Sequence, residues 1–429
     1  MLRKARQLIE LVLFLPAVVT CAVRALRGLA QQPWPPERML LYFSEVMWDE
    51  VWQRPQELAT RLSQTIPTVY ISAVQLHRWR FSLRQRWQYM RSFVAEGQRD
   101  LIVLSPLILP GHYRSRLIYK LNCWLLTLIL HRWLKHSREI RCVTDSPFAW
   151  PVIDALFFCQ HQRILPLAKL HYDIIDDFPA FEWAPAWARE YDAKLLDQAD
   201  TVSTGTYELW HQRRVRRPDA EFIPCGVDYD AFNRPAGEIP PDLALLPEPR
   251  IGYFGSVSDR LDYDLIALLA DKFPAASVVL VGPIRMDTSR LPRKPNIHYL
   301  GLKPHNELPR YAQNFTVALI PFLINEATAK LNPVKTLEYL AAGIPVVSTA
   351  IPDVVRFFSH TVLIARDREE FTELVRQAID SPDIERIRHG VDLARSSSWN
   401  EVAHRIASRI LGPSERRPPR VSNNAGGVA

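Results

Sequence analysis

The chain has 429 residues, 48% apolar and 23% charged, which excludes wholesale disorder and predicts more than one domain, each with its own core. Its 53 Lys and Arg against 46 Asp and Glu give a net charge of +7, and the excess is local: residues 1–141 hold 21 basic and 9 acidic side chains, a net of +12, while the remainder nets −5. The 5 cysteines, at 21, 123, 142, 159 and 225, form no C-x-x-C pair, so neither a disulfide framework nor a cysteine-rich zinc site is expected and a reducing compartment fits best.

At the N-terminus an uncharged run of 13 residues, Leu11 to Val23, lies between Arg3, Lys4 and Arg6 on one side and Arg24 and Arg27 on the other. A membrane-crossing helix needs about 20 such residues, and no small-x-small cleavage site follows. Residues 1–37 therefore read as a membrane-associating segment with an amphipathic helix in the interface, the alternative being an ordinary packed terminal helix. Residues 77–93 mix arginines with Trp79, Trp87 and Tyr89, side chains that favour lipid phosphate and the headgroup layer. Residues 113–138 read as a long helix buried on one face, with a basic C-terminal end that suits the helix dipole. Nucleic acid also accepts arginine–aromatic mixtures, but the sequence has no RNP, zinc-finger or basic-zipper pattern. The expected partner of the first third is an anionic membrane surface, not nucleic acid.

From Arg38 onward short β-branched apolar runs alternate with helical stretches. Strands are predicted at 39–44, 68–72, 101–106, 140–145, 170–175 and 201–205, with helices over 53–63 and 187–198 among them. A second series has strands at 250–256, 277–283, 296–301, 316–322, 344–349 and 361–365, and helices near 262–272, 305–313, 333–342 and 367–380. The strands lack apolar–polar alternation, as expected where both faces of a parallel sheet are covered. The predicted fold class is α/β, with two Rossmann-like doubly wound domains at 38–235 and 250–395. The proline-rich loop 235–249 joins them, and a ligand cleft is expected between them at the C-terminal strand ends. Residues 396–412 form a last helix crossing back to the first domain, and the polar tail 413–429 is expected to be disordered.

The stretch LNPVKTLEYLAAGIPVVST (331–349) carries the most chemistry. Asn332 and Pro333 lead into a helix whose first N–H groups, at Val334, Lys335 and Thr336, have no partner within the helix. With the Lys335 charge they make a diphosphate site. Glu338 follows one turn after Val334 on nearly the same face, where a carboxylate can accept hydrogen bonds from vicinal sugar hydroxyls. An amphipathic helix with a surface glutamate is the plain alternative.

This stretch resembles the nucleotide-sugar segment of bacterial GT-B glycosyltransferases of the family-4 kind (glycosyl transferases group 1). The ribose-binding glutamate and the following A-x-G-x-P-V-V are matched by Glu338, Ala341, Gly343, Pro345, Val346 and Val347. WDEVWQRPQELATRL (48–62) and YDIIDDF (172–178) look like motifs of a cell-surface polysaccharide subgroup. ADTVSTGTYEL, IPCGVDYDAF, IGYFGSVSDRLD and SSSWN follow in the family's order, so the resemblance covers about 38–412. It implies an EC 2.4 glycosyltransferase moving a sugar from a UDP- or GDP-linked donor to a lipid-linked saccharide acceptor. It also implies a cytoplasmic protein, peripheral on the inner face of the membrane, that needs no cofactor and no metal. The scattered histidines form no H-x-x-x-H pattern, and no G-x-G-x-x-G is present.

Two departures stand out. Lys330 occupies the position of the family's first glutamate, which touches the transferred sugar, so retaining and inverting outcomes both stay open. The G-R-x-x-x-x-K that neutralises the donor diphosphate is replaced by Gly255, Ser256 and, at its end, Arg260 with Leu261. Arg260 and Lys335 are the candidates to supply the missing charge. If the reaction inverts, Asp176 or Asp177 is the candidate base, a cluster with Asp173 in which carboxylates raise one another's pKa; helix capping by Asp177 is the competing role. Arg54, opening the first helix, and Asp145, ending a strand, are candidate acceptor ligands, with stacking of Arg54 on Trp48 or Trp52 as its structural alternative. A non-catalytic nucleotide-sugar-binding scaffold subunit and an epimerase of the same fold are the rival functions.

Overall fold

The computed structural model describes residues 37–48, 52–72, 91–94, 100–105, 115–158, 165–181, 184–235, 237–325, 328 and 334–411. The expected N-terminal amphipathic helix, most of the arginine-rich stretch 77–93, Asn332, Lys330 and the tail 413–429 lie outside these residues. The chain divides into two compact units. Unit 1 comprises 1–204, 210–222 and 403–429, and unit 2 comprises 205–209 and 223–402.

Unit 1 is built on an eight-stranded sheet in the order β3-β4-β2-β1-β5-β6-β7-β8. The strands are β1 (Arg38–Ser44), β2 (Thr68–Ser72), β3 (Arg91–Val94), β4 (Leu101–Ser105), β5 (Glu139–Thr144), β6 (Leu167–Ile174), β7 (Thr201–Thr204) and β8 (Glu221–Phe222). All pairings are parallel except β3 with β4. Met39 to Phe43 of β1 are wholly buried. Both faces of this strand are covered, which is why it is an unbroken apolar run. The helices used below are α1 (Arg54–Leu62), α2 (Arg116–Leu134) and α3 (Ala188–Gln198).

Unit 2 carries a six-stranded, all-parallel sheet in the order β11-β10-β9-β12-β13-β14. Its strands are β9 (Arg250–Phe254), β10 (Ser277–Val281), β11 (Ile297–Gly301), β12 (Val317–Ile320), β13 (Val346–Thr349) and β14 (Leu363–Ala365). Its helices include α4 (Tyr263–Lys272), α5 (Val334–Ala341), α6 (Pro352–Phe358), α7 (Arg368–Asp380) and α8 (Ile384–Ser396). Asp262, Asp367 and Asp383 cap α4, α7 and α8 by accepting from backbone N–H groups three residues on. Packing of α5 against α8 is close at Gly390, where a Cβ would fall 2.6 Å from the Leu340 side chain.

The division falls earlier in the chain than the proline-rich loop. Residues from Ile223 to Pro249 belong with unit 2 because they are bonded into it. Phe232 stacks on Phe254 at 6.0 Å, Asn233 donates to the Ala341 carbonyl, and Asp242 accepts from both Lys303 and Tyr311. The last helix, α9 (Trp399–Ile410), begins among unit 2 residues and ends among those of unit 1, where Arg405 and Arg409 both hold Glu221 of β8. Among the described residues no helix is long and apolar enough to cross a membrane.

Candidate functional site

In unit 2 Lys335, in the first turn of α5, lies against a glycine turn that itself abuts a second one. Gly255 follows β9 with φ +143°, and Gly282 follows β10 with φ +146°. A Cβ on Gly282 would lie 1.9 Å from the Gly255 carbonyl oxygen, so the two backbones are in direct contact. A Cβ on Gly255 would lie 2.1 Å from Cε of Lys335 and 2.6 Å from the Tyr253 hydroxyl. The Lys335 side chain is therefore laid across Gly255, in space that any other residue at 255 would occupy.

Tyr339 fixes that arrangement. It is fully buried, accepts the Phe254 N–H at 2.8 Å, and meets the Phe254 ring edge-on at 4.7 Å. One turn of α5 is thereby locked to the residue before Gly255. Charge and turn signals in the sequence do not single out Tyr339. Tyr339 lies beside Glu338 on the face turned to the core, and its hydroxyl in that apolar face was the available signal.

Burial pushes the Lys335 ammonium below the ordinary lysine range; Glu338 opposes the shift, Arg260 adds to it, and Cys225 opposes it. Glu338 and Arg260 thus lie within electrostatic reach of the Lys335 ammonium, whose side chain crosses Gly255. Arg260 is exposed and forms no ion pair among the described residues. Its loop is pinned by Leu323 N–H donating to the Arg260 carbonyl and by Asp262 N–H donating to Pro321. Ser256 is partly buried, and its carbonyl accepts the Tyr253 hydroxyl at 3.2 Å. Val334 is half-buried, whereas Thr336 is fully buried with its hydroxyl unpartnered. Glu338 is half-buried one turn into the helix. Asn332 lies outside the described residues. Among those residues no group of three or more His, Cys, Asp or Glu is arranged to hold a metal ion.

In unit 1 the predicted acceptor residues are placed differently from expectation. Arg54 is 3% exposed and makes a two-pronged pair with Asp173, Nε to Oδ2 at 2.8 Å and Nη2 to Oδ1 at 2.9 Å. Ser203 adds a third hydrogen bond to Asp173 at 2.6 Å. Burial alone would raise the Asp173 carboxyl, but the Arg54 charge and these bonds hold it below the usual carboxylate range. This corrects two expectations. The Arg54 guanidinium is committed inside the fold rather than offered to a phosphate, and Asp173 is not raised by its neighbours. Nearby, Trp52 donates to Glu57, and Gln56 donates to the Met47 carbonyl.

Asp145 is also fully buried. Oδ1 accepts the Glu45 N–H at 3.1 Å and Oδ2 has no partner. Burial pushes its carboxyl far up, against hydrogen bonds from Ser44 and Glu45 and helped by the charges of Asp173 and Glu45. It is a carboxyl sealed inside unit 1, not an exposed acceptor ligand. Asp176 is half-buried just after β6. Asp177 opens the short turn Phe178–Ala180 without a side-chain cap bond, so capping is not its role; Arg213 pairs with it at 3.4 Å and with Asp192 at 2.8 Å. Asp177 lines a pocket of about 370 Å³ with Arg189, Asp192, Gln212, Arg213 and Arg216. A candidate base thus borders a concavity of unit 1.

Residues 248–381 match the family model Glycosyl transferases group 1, so the sheet of unit 2 with Gly255, Arg260, Lys335 and Glu338 carries that domain. TuaH of Bacillus subtilis (strain 168), assigned as a teichuronic acid biosynthesis glycosyltransferase, is 26% identical over 172 residues. That match covers 38% of this chain and 43% of the relative, less than half its length. Three solved structures share the fold. Sucrose-phosphate synthase from Thermosynechococcus elongatus superposes with a TM-score of 0.63 at 15% identity, covering 86% of this chain and 98% of that one. An α,α-trehalose-phosphate synthase (UDP-forming) from Burkholderia xenovorans, in complex with glucose-6-phosphate, gives 0.62 at 14%, covering 87% and 100%. An E. coli trehalose-6-phosphate structure bound with UDP-2-fluoro glucose gives 0.61 at 13%, covering 89% and 100%. The two parallel-sheet α/β units are those of the GT-B fold.

Proposed function

We propose that this chain, GT-B in fold and carrying a group 1 glycosyltransferase domain, is a glycosyltransferase that moves a sugar from a nucleoside-diphosphate donor to a saccharide acceptor. The observation that carries the reading is Lys335 laid across Gly255 at the start of α5, with Arg260 and Glu338 as its charged neighbours. The backbone N–H groups of Val334, Lys335 and Thr336 and the two cations stabilise the charge that develops on the departing diphosphate. Glu338 accepts from the ribose hydroxyls. In the inverting case Asp176 or Asp177 removes the proton of the attacking hydroxyl. The donor reading is UDP-linked, the nucleotide bound in one of the superposed structures.

On the acceptor side the reading is a lipid-linked saccharide of cell-surface polysaccharide synthesis, worked on at the inner face of the membrane. The TuaH similarity and the basic first third support it. The test is turnover by the purified chain with a panel of nucleotide sugars, with Asp176→Asn and Asp177→Asn alongside. Release of nucleoside diphosphate, abolished or cut by roughly 100-fold or more in one of the two variants, is expected for a general base. Binding without turnover of any donor would leave a scaffold subunit, and interconversion of free donors would leave an epimerase.

A further inference from the structure

Helix α2 is apolar on two opposite sides. Tyr119, Cys123, Leu126, Leu130, Trp133 and Leu134 face inward and are buried. On the other side Leu117 is 78% exposed, Leu121 37%, Trp124 54% and Leu128 45%. Their spacing of four, three and four residues sets them within an arc of about 60° and along about 16 Å of helix. A soluble surface helix has one such face, not two. Lys120 and Arg132 flank the outer stripe on its two sides and Lys135 closes its C-terminal end; all three are exposed, and none makes an ion pair with a described residue. No acidic residue occurs between Asp100 and Glu139.

We infer that the outer face of α2 is the surface by which unit 1 sits on an anionic lipid bilayer. This deepens the membrane-side reading above and rests on it for the acceptor, not for the chemistry of the donor. An interfacial helix buries such a stripe about 5–10 Å deep, at the boundary of headgroups and acyl chains. Trp124, in the middle of the stripe, prefers that layer. Lys120 and Arg132 reach the phosphates on either side with their stems along the apolar surface. A second copy of the chain fits this face poorly. A two-fold contact would set cationic flanks against cationic flanks, and α2 itself has no carboxylate to answer them.

The experiment is co-sedimentation of the full chain with vesicles of phosphatidylcholine alone and of phosphatidylcholine with phosphatidylglycerol, at low and at high salt. The chain is expected to bind the anionic vesicles and to lose about 10-fold or more in partitioning on the neutral ones or at high salt. L121E/W124E alters only exposed side chains. It is expected to lower partitioning on anionic vesicles by about 10-fold or more, with melting temperature and donor turnover in solution unchanged. K120Q/R132Q is expected to flatten the salt dependence. The inference is overturned if the wild-type chain stays in the supernatant, or if L121E/W124E binds vesicles as the wild type does, including the case where it merely turns a dimer into a monomer. Failure of the transferase reading looks different: vesicle binding intact, but no nucleotide sugar bound or turned over.

Discussion

The side chain of Lys335 occupies the space where a side chain at Gly255 would be, with Cε 2.1 Å from the Cβ position. The glycine is thus required twice, for its φ of +143° and for the lysine that lies over it. Gly255→Ala is expected to displace Lys335 and to store backbone strain of about 1–3 kcal/mol. Donor affinity should fall in Gly255→Ala by nearly as much as in Lys335→Ala. Losing a charge-assisted contact of about 1.5–3 kcal/mol corresponds to roughly 10–100-fold in the donor KM. The double variant should be little worse than either single one, because both remove the same contact. Additive losses would show that Gly255 acts on something other than Lys335.

Lys335 also sets a pH dependence. Burial holds its ammonium below the ordinary lysine range, so the unliganded protein loses that proton at lower pH than a surface lysine does. A bound diphosphate favours the charged form. Donor affinity is therefore expected to fall as pH rises through the Lys335 titration, with proton uptake on binding there. Lys335→Arg keeps its charge throughout and should flatten the alkaline limb, whatever it costs in affinity at neutral pH. Calorimetric titration in two buffers of different ionisation enthalpy reads the proton uptake directly. An alkaline limb unchanged in Lys335→Arg would assign the titration to another group.

The Arg54–Asp173 pair is buried at both ends, 3% and 0% exposed. Removing one partner strands the other charge inside unit 1, at a cost of about 3–5 kcal/mol. Arg54→Met and Asp173→Leu should each destabilise by that order, and the double variant by clearly less than their sum. Because the Asp173 carboxyl is depressed in the fold, its contribution is present above its unfolded value and is lost as pH falls through the lower, folded one. Urea denaturation between pH 7 and the acid transition measures both effects. If Arg54→Met instead leaves stability alone and raises only the acceptor KM, Arg54 is a ligand after all.

What could be read from residues alone follows from how far apart the deciding groups are. The strand β1 and the start of α5 were visible because a doubly covered parallel strand is an apolar run and because Pro333, Lys335 and Gly343 punctuate a helix locally. The fate of Arg54 was not visible, since its partner lies 119 positions away and an arginine at a helix start looks the same whether it meets a phosphate or a buried carboxylate. Asp145 likewise ends a strand on the expected rim yet is sealed from solvent. The unit division was misplaced because proline content marks where a chain turns, while Phe232, Asn233 and Asp242 decide which core it joins. The second apolar face of α2 was hidden for the opposite reason: a helix apolar on both sides has little periodicity to report.

Asp353 ties the segment 205–209 into unit 2, and its titration should be visible in stability. Its Oδ2 accepts the Tyr207 N–H at 3.2 Å, and the Arg356 guanidinium lies 3.9 Å over the Tyr207 ring. Burial raises the Asp353 carboxyl to about 6; the Tyr207 N–H and Arg356 oppose that rise, and Glu208 adds to it. A raised folded pKa means that the fold holds a proton the unfolded chain would release. The stability linked to it is full below the unfolded value and is lost as pH rises through about 6. Asp353→Asn keeps an acceptor oxygen for Tyr207 and never ionises. The variant should match the wild type under acid conditions and exceed it at alkaline pH by at most about 3 kcal/mol, the full value of a shift of this size. Melting temperatures of the two proteins across this range decide it. A variant that is less stable than the wild type at alkaline pH would mean that the carboxylate charge, working on Arg356, outweighs its burial.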